Sequence, residues 1–529
     1  MKQLFVCLLL ATGSFAQTKK EKKAQAKQDA VLTTQLQRHI AILASDSLQG
    51  RRTGTTGEQL AADYIAKQYQ QYQLKPAGTN GTFFQTFAIN EGKKIPEAKN
   101  NCTINGTAIT VAKQYYPLAY SANGSIEGEA MLHVNRAQEP WLVDVAEIME
   151  ANQDNPHFDI AKAAYQACKR AAEKQATAVI LYNSTTKTDN ILFDKNDTTA
   201  ALPIPVLYIT HAAWKQAVGS SGHCKIKAAV LFEIPKRTGT NVAAFLDNNA
   251  TKTVVIGAHY DHLGMGEDKN SLDGEGHIHN GADDNASGTA AIIELARLLQ
   301  QKPLKNTNFL FLSFSGEELG LLGSKYWLQN PSIGITPHYM LNLDMVGRYD
   351  TAKKLTIGGV GTSPSWGKVL NQINSSLIIK TDSSGAGPSD HASFYRKNIP
   401  VLFFFTNSHS DYHKASDDAD KINTDGIVQI VKYIQQVVTI TDTLPKLAFT
   451  ATREQSMGKG VGFTVSLGVI PDYGFTGKGV KIDGVSKGKL AEKIGLQASD
   501  ILLQLGEYKF VDVSSYMQAL SKFKKGDTT

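Results

Sequence analysis

Three short polar runs interrupt apolar stretches near the middle of the chain. Ala258-His259-Tyr260-Asp261-His262 follows apolar residues 253–256, and Phe314-Ser315-Gly316-Glu317-Glu318 closes the apolar run 308–314. Between them, Gly281-Ala282-Asp283-Asp284-Asn285-Ala286-Ser287-Gly288 precedes the apolar stretch 290–299. The pattern predicts strand, loop, helix, strand, loop, with the polar residues at strand ends and a helix start. Upstream, Leu32, Leu36, Ile40 and Leu43 recur at helical spacing within 31–50, a second helix fits 58–72, and Phe83-Phe84-Gln85-Thr86-Phe87 fits a strand. From about residue 101 the texture changes to short strands at 128–134, 178–182 and 205–209 with one helix at 160–174. The α/β texture resumes at 239 and runs to about 444.

These patterns divide the chain. Residues 31–105 and 236–444 form one α/β body with a mixed central sheet flanked by helices. Residues 106–235 are an inserted β-rich domain without a cluster of catalytic residue types. Lys/Gln/Ala-rich residues 17–30 read as a solvated linker or loose helix, and 445–460, opening on Pro445, read as a second linker. Residues 461–529 predict a small α+β domain, with strands at 479–485 and 500–505 and helices at 489–496 and 514–521.

Composition narrows the class. The 529 residues are 42% hydrophobic and 20% charged, as in ordinary globular proteins, and the net charge is only +6. Lys19, Lys20, Lys22, Lys23 and Lys27 account for most of that excess, so a nucleic-acid partner is not indicated. At the start, Lys2, an apolar run over 4–11 and Gly13-Ser14-Phe15-Ala16 describe a secretory signal peptide cleaved after Ala16. The run is too short to span a bilayer, and no later stretch is apolar for long enough. Export from a bacterial cell, to the periplasm or the medium, is expected. Cys102, Cys168 and Cys224 remain after cleavage, an odd count that gives no disulfide framework.

The candidate chemistry lies at the predicted strand ends, where open α/β sheets bind ligands. Imidazoles and carboxylates gathered there suit a divalent metal, zinc above all. The second half of the body adds Asn342-Leu343-Asp344-Met345-Val346-Gly347 after apolar 339–343. It also adds Ser410-Asp411-Tyr412-His413 after the apolar strand 400–405. A two-metal site needs a bridging carboxylate, further His/Asp/Glu ligands and a base, and these runs supply the residue types. Ser389-Asp390-His391 looks like part of a hydrolase triad, but no Gly-x-Ser-x-Gly elbow precedes it. His262 and His409 neighbour the candidate ligands and are set aside. His277 and His279 read as lid or surface residues, and Glu267 and Asp268 have no assignable role.

In this order the motifs His-x-Asp, Asp-Asn-x-Ser-Gly, Gly-Glu-Glu, Asn-x-Asp-Met and Asp-Tyr-His resemble the di-zinc aminopeptidases, family twenty-eight of the metallopeptidases in clan MH. The resemblance covers residues 31–100 and 236–440. It implies a zinc exopeptidase fold and two zinc ions. His259 and Asp344 would bind one, Glu318 and His413 the other, and Asp284 would bridge them. It further implies that Asp261 orients His259, that Glu317 is the general base for the water between the metals, and that Tyr412 bonds the oxyanion. Asp283 is then a structural acceptor.

Ala178-Val179-Ile180-Leu181-Tyr182 and Ile204-Pro205-Val206-Leu207-Tyr208-Ile209 make the insert similar to a protease-associated domain. The run from Ala491 to Leu502 makes the last segment similar to a bacterial PDZ domain. Leu467-Gly468-Val469-Ile470 would then capture an extended peptide by strand addition. Such domains usually add one strand beyond Gly526-Asp527-Thr528-Thr529, so either the chain is shortened or the domain departs from its family. The expected activity is removal of N-terminal residues from peptides. A carboxypeptidase or dipeptidase of the same clan, a single-zinc aminoacyl cyclase, and a peptide-binding module with an inactive core are the alternatives.

Overall fold

Four buried strands run parallel at the centre of a nine-stranded sheet, in the order Thr307–Phe314, Lys252–His259, Pro337–Leu343 and Val401–Phe405. Lys236–Leu246 extends the sheet antiparallel on one side and carries Phe84–Asn90 and Lys75–Pro76. On the other side come Leu355–Gly358, antiparallel to Val401–Phe405, and then Ile379–Thr381. In this computed structural model the described residues are 19–452, except 154, 156, 157, 190, 196, 198, 220, 221, 269, 272, 351–353 and 408, and 465, 467–471, 478–485, 489–497, 499–511, 513–520, 522–523 and 526–529. The expected export signal, 1–16, lies outside them.

Side chains two apart on a strand share a face, and the central strands are apolar on both faces because both are covered. Val254 and Ile256 pack with Phe309, Phe311 and Leu341 under the helices Lys19–Leu43, Thr56–Gln71, Gly288–Gln301 and Thr424–Asp442. Val255 faces the other way, with Leu310, Leu312 and Met340, against Trp327 of Leu322–Gln329 and Phe394 of His391–Tyr395. Leu32, Leu36, Ile40 and Leu43 are all buried, as their spacing predicts.

Of the two expected linkers, the first takes the helical form that was one of its two readings, and the described part of the second, 445–452, is packed rather than free. Residues 19–30 are helical and continuous with the first core helix. Lys, Gln and Ala are strong helix formers, and Asp29 is held by Lys432 at 2.9 Å. Residues 445–452 pack on the body: Leu447 is buried and donates its N–H to His338 Nε2, and Phe449 lies against Tyr395. Residues 453–460 lie outside the described residues.

The intervening strands form two four-stranded sheets of their own. One joins Thr107–Ile109, Asn101–Ile104, His223–Val230 and Gly124–Met131, and the other joins Tyr115–Pro117, Val206–Ile209, Ala178–Tyr182 and Pro140–Asp144. The boundary expected at 106 falls inside the first sheet, between two paired strands. The change of partner comes earlier, where Lys94 and Glu233 exchange backbone hydrogen bonds of 2.7 and 2.9 Å. Cys102, Cys168 and Cys224 are buried and free.

In the last segment, Val469–Pro471, Val480–Val485 and Ile501–Leu502 form a three-stranded sheet over a core of Val480, Ile482, Ala491, Phe510 and Tyr516. The single strand expected over 500–505 is two short ones. Gln504–Leu505 turns back through Gly506 to pair with Tyr508–Lys509 instead. No helix among the described residues is long and apolar enough to cross a membrane.

Candidate metal centre

The parallel register carries the polar runs to one edge of the sheet. His259 lies beside Phe314, so Glu317 and Glu318 follow just beyond the same edge. Gly257 lies beside Asn342, and Leu343 beside Phe404, which brings Asp344 and the loop to His413 alongside. Asp284 enters from the turn before the helix Gly288–Gln301. That turn is tight: a Cβ on Gly288 would stand 2.3 Å from Asn285 Oδ1 and 2.5 Å from the Leu343 carbonyl oxygen. This accounts for the glycine in the Asp-Asn-x-Ser-Gly run.

Two groups of potential ligands share Asp284. His259 Nε2 is 3.3 Å from Asp284 Oδ1 and 3.3 Å from Asp344 Oδ1. His413 Nε2 is 3.3 Å from Asp284 Oδ2 and 3.2 Å from Glu318 Oε2. Zinc bonds of about 2.0–2.1 Å at tetrahedral angles separate ligand atoms by roughly 3.3–3.4 Å, so the spacing fits such a cation.

The charge balance of the cleft fits as well. Burial would lower His259 and His413, yet the carboxylates around them raise both well above the usual histidine value. Burial would raise Asp284, but His259 and His413 hold it well below the usual carboxylate range. Protons thus stand where cations would, and metal binding at such a site displaces them.

The ring nitrogens facing away from the groups are tied to backbone carbonyls. His259 Nδ1 lies 3.2 Å from the Asp261 carbonyl oxygen, and His413 Nδ1 lies 2.9 Å from that of Asn270. Such bonds fix the tautomer and leave Nε2 free for a metal. The expected role of Asp261 changes accordingly. Its peptide oxygen holds His259, while its carboxylate, 3.7 Å from Nδ1, accepts from Thr53 Oγ1 at 2.9 Å and the Glu317 N–H at 3.2 Å.

His262, set aside from sequence, belongs to the centre: its Nδ1 is 2.8 Å from Glu318 Oε1. It could join Asp284 and Glu318 as a ligand in place of His413. The carbonyl-held Nδ1 and doubly placed Nε2 of His413 make it the better ligand, and His262 then steadies the second oxygen of Glu318. Asp283 is the structural acceptor expected, taking Ser287 Oγ, the Gly347 N–H and His409 Nε2. Asp417 accepts the N–H groups of both Asp283 and Asp284 at 2.8 and 3.1 Å and receives Arg348 on its other oxygen.

Glu317 keeps part of its surface open to solvent. Burial of its carboxyl, reinforced by Glu318, Asp344 and Asp390, raises it well above the usual glutamate value. Asp390 is likewise pushed up to about 7, first by burial. His391 stacks on Phe403 with ring centroids 4.3 Å apart, a packing role. Tyr412 stacks on His413 at 3.9 Å.

Arg51 escaped sequence reasoning. It is 1% exposed, and its guanidinium donates to the carbonyls of Leu43, Tyr260, Asn280 and Gly281. Burial lowers it to about 10, against Asp284, Asp261, Asp417 and Glu318, which favour its charge.

Residues 241–438 match the model described as Peptidase family M28. A probable leucine aminopeptidase of Arthroderma otae is 28% identical over 209 residues, covering 37% of this chain and 55% of that protein. Aminopeptidase YwaD of Bacillus subtilis is 25% identical over 279 residues, covering 50% and 57%. The chain thus spans about half the length of these relatives. Among solved structures, the aminopeptidase from Aneurinibacillus sp. strain AM-1 aligns with 79% of this chain and 95% of its own at 21% identity and a TM-score of 0.42.

Proposed function

We propose that this chain is an exported, zinc-dependent aminopeptidase that removes N-terminal residues from peptides. The observation that carries the reading is Asp284, whose two oxygens face different ligand groups, each 3.3 Å from an imidazole Nε2. In this reading His259 and Asp344 would hold one zinc and Glu318 and His413 the other, with Asp284 offering an oxygen to each. When bound, the zinc ions would supply positive charge among these carboxylates and polarise the peptide carbonyl. Glu317, beside the groups, takes a proton from the attacking water and delivers it to the leaving amine. The hydrogen bond from its N–H to Asp261 supports its position. Tyr412, stacked on His413, donates to the developing oxyanion.

Peptides are the substrates, and the relatives named aminopeptidases favour the N-terminal end. At the last domain, Val469–Pro471 forms an edge of its sheet among the described residues and suits strand addition by an extended peptide. There the carbonyl of Leu467 already accepts the Ala491 N–H, and Gly468 lies against Lys489. Ile470 pairs with Gly484.

The test is a panel of aminoacyl anilides and of N-blocked and C-blocked peptides, with elemental analysis of the purified chain. Two zinc ions and cleavage restricted to free N-termini are expected. Cleavage of N-blocked but not C-blocked peptides would make the enzyme a carboxypeptidase. Two zincs with no cleavage at all would leave the inactive-core alternative.

A further inference from the structure

The two ligand groups are steadied by different parts of the chain. His259 takes its carbonyl partner from Asp261, two residues along the same strand end. Glu318 and His413 instead both meet Asn270, in the long connection after Leu263. The Asn270 carbonyl accepts from His413 Nδ1 at 2.9 Å, and its Nδ2 donates to the Glu318 carbonyl at 3.4 Å. Asp273 continues the link by accepting the Ala415 N–H at 2.8 Å, two residues past His413.

Among its described residues the connection carries no helix or strand, yet Asp268, two residues before Asn270, is clamped. Asp268 receives Arg52 through Nε and an Nη at 2.9 Å each, and Arg237 through two Nη at 2.9 and 2.8 Å. Two bidentate forks on one carboxylate fix its position and plane. The arginines are themselves fixed. Arg237 is 7% exposed and also donates to Glu91 and to the Thr53 carbonyl, and Arg52 shares its stretch with Arg51 and Thr53. Asp268 thus stands two residues from Asn270 and the Glu318–His413 group, whereas its route to the His259 ring is longer, through Arg237, the Thr53 carbonyl and hydroxyl, and Asp261.

We infer that Asp268, Arg52 and Arg237 are positioning residues that set the zinc affinity of the Glu318–His413 group and leave that of the His259–Asp344 group unchanged. The inference rests on the two-zinc reading above. Loss of a partner behind a metal ligand typically lowers metal affinity about 10–100-fold. Asp268→Asn keeps the size of the side chain and removes the charge that both forks need. Arg52→Gln is milder, because Arg237 still holds the carboxylate.

Both variants of the full chain are titrated with zinc against a competing chelator, beside the wild type. The wild type should hold two zincs. Asp268→Asn should weaken one of them about 10–100-fold and leave the other within twofold, and Arg52→Gln should weaken the same one by less. In a His413→Ala background, which lacks the affected site, Asp268→Asn should leave the remaining zinc unchanged. Equal weakening of both zincs, or of neither, overturns the clamp, and so does a further loss in the His413→Ala background. A wild type holding one zinc overturns the two-metal reading and the selectivity with it. Two zincs in the wild type with an unselective variant overturn the clamp alone.

Discussion

Glu317 and Glu318 are adjacent and chemically identical, yet their surroundings divide them. Glu318 is gripped from two sides, by His262 at 2.8 Å and His413 at 3.2 Å. Glu317 is held through its backbone N–H, which donates to Asp261 at 3.2 Å. Glu317→Gln should therefore lower kcat by roughly 10²–10⁴-fold while zinc content stays at the wild-type value. A variant that loses zinc instead would exchange the roles of the two residues.

Glu58 offers a second residue-scale measurement. It is buried against Ser315, Tyr260 Oη and the Gly54 N–H, and burial, the largest influence, raises its carboxyl to about 8. An acid raised on folding favours the folded state fully below its unfolded value, near 4.5, and loses that contribution as pH climbs through about 8. Tm should then fall more between pH 5 and pH 8.5 in the wild type than in Glu58→Gln; equal falls would remove Glu58 as the cause.

The runs at 258–262, 281–288 and 314–318 were legible because histidines and carboxylates placed at the ends of buried apolar strands contribute little to packing and so point to chemistry. Arg51 was not legible. Its acceptors at Tyr260, Asn280 and Gly281 lie 209 to 230 residues away, and an arginine bonded to carbonyls leaves no mark on the local pattern. His262 was hidden differently, one residue from Asp261 and indistinguishable in sequence from a surface histidine.

Elements were legible wherever one face or both faces were apolar. The strands Ala178–Tyr182 and Thr307–Phe314 and the helix Ile160–Glu173 stand within a residue of their expected bounds. Residues 445–452 defeated the pattern because they are extended and capped by Pro445, with only Leu447 and Phe449 facing inward. The backbone bond between Thr450 and Thr362, and the bonds of Thr452 to Tyr395 Oη and the Gly385 N–H, pin the segment to the body. A chain ending at 452 should therefore keep wild-type stability of the body, whereas one ending at 444 should lose about 2 kcal/mol or more from Leu447 alone. Urea midpoints of the two truncations check this. If they coincide, the segment contributes nothing.

Across the whole molecule, the ligand groups and Glu317 come from 259–413, with Arg51 and Thr53 added from before the insert. None comes from the insert itself. The insert enters and leaves at Lys94 and Glu233, which are hydrogen-bonded neighbours. Replacing 95–232 by a short glycine-rich turn should therefore leave a folded body that binds zinc and cleaves aminoacyl anilides at close to the wild-type rate. Zinc content and anilide kinetics of the excised chain decide it. Normal zinc with abolished cleavage would show that the insert shapes the substrate cleft.

The same pairing has a consequence for how the chain finds its shape. Thr53 must reach Asp261 across an intervening stretch that includes about 140 residues of insert, and closing an open loop of that length is entropically unfavourable. An insert that folds first on its own two sheets brings Lys94 against Glu233 and cuts the effective loop from 208 residues to about 70. By the logarithmic dependence of loop entropy on length, this removes roughly 1 kcal/mol from the closure term. The insert would then act on the body as a tether drawn tight before the central sheet assembles.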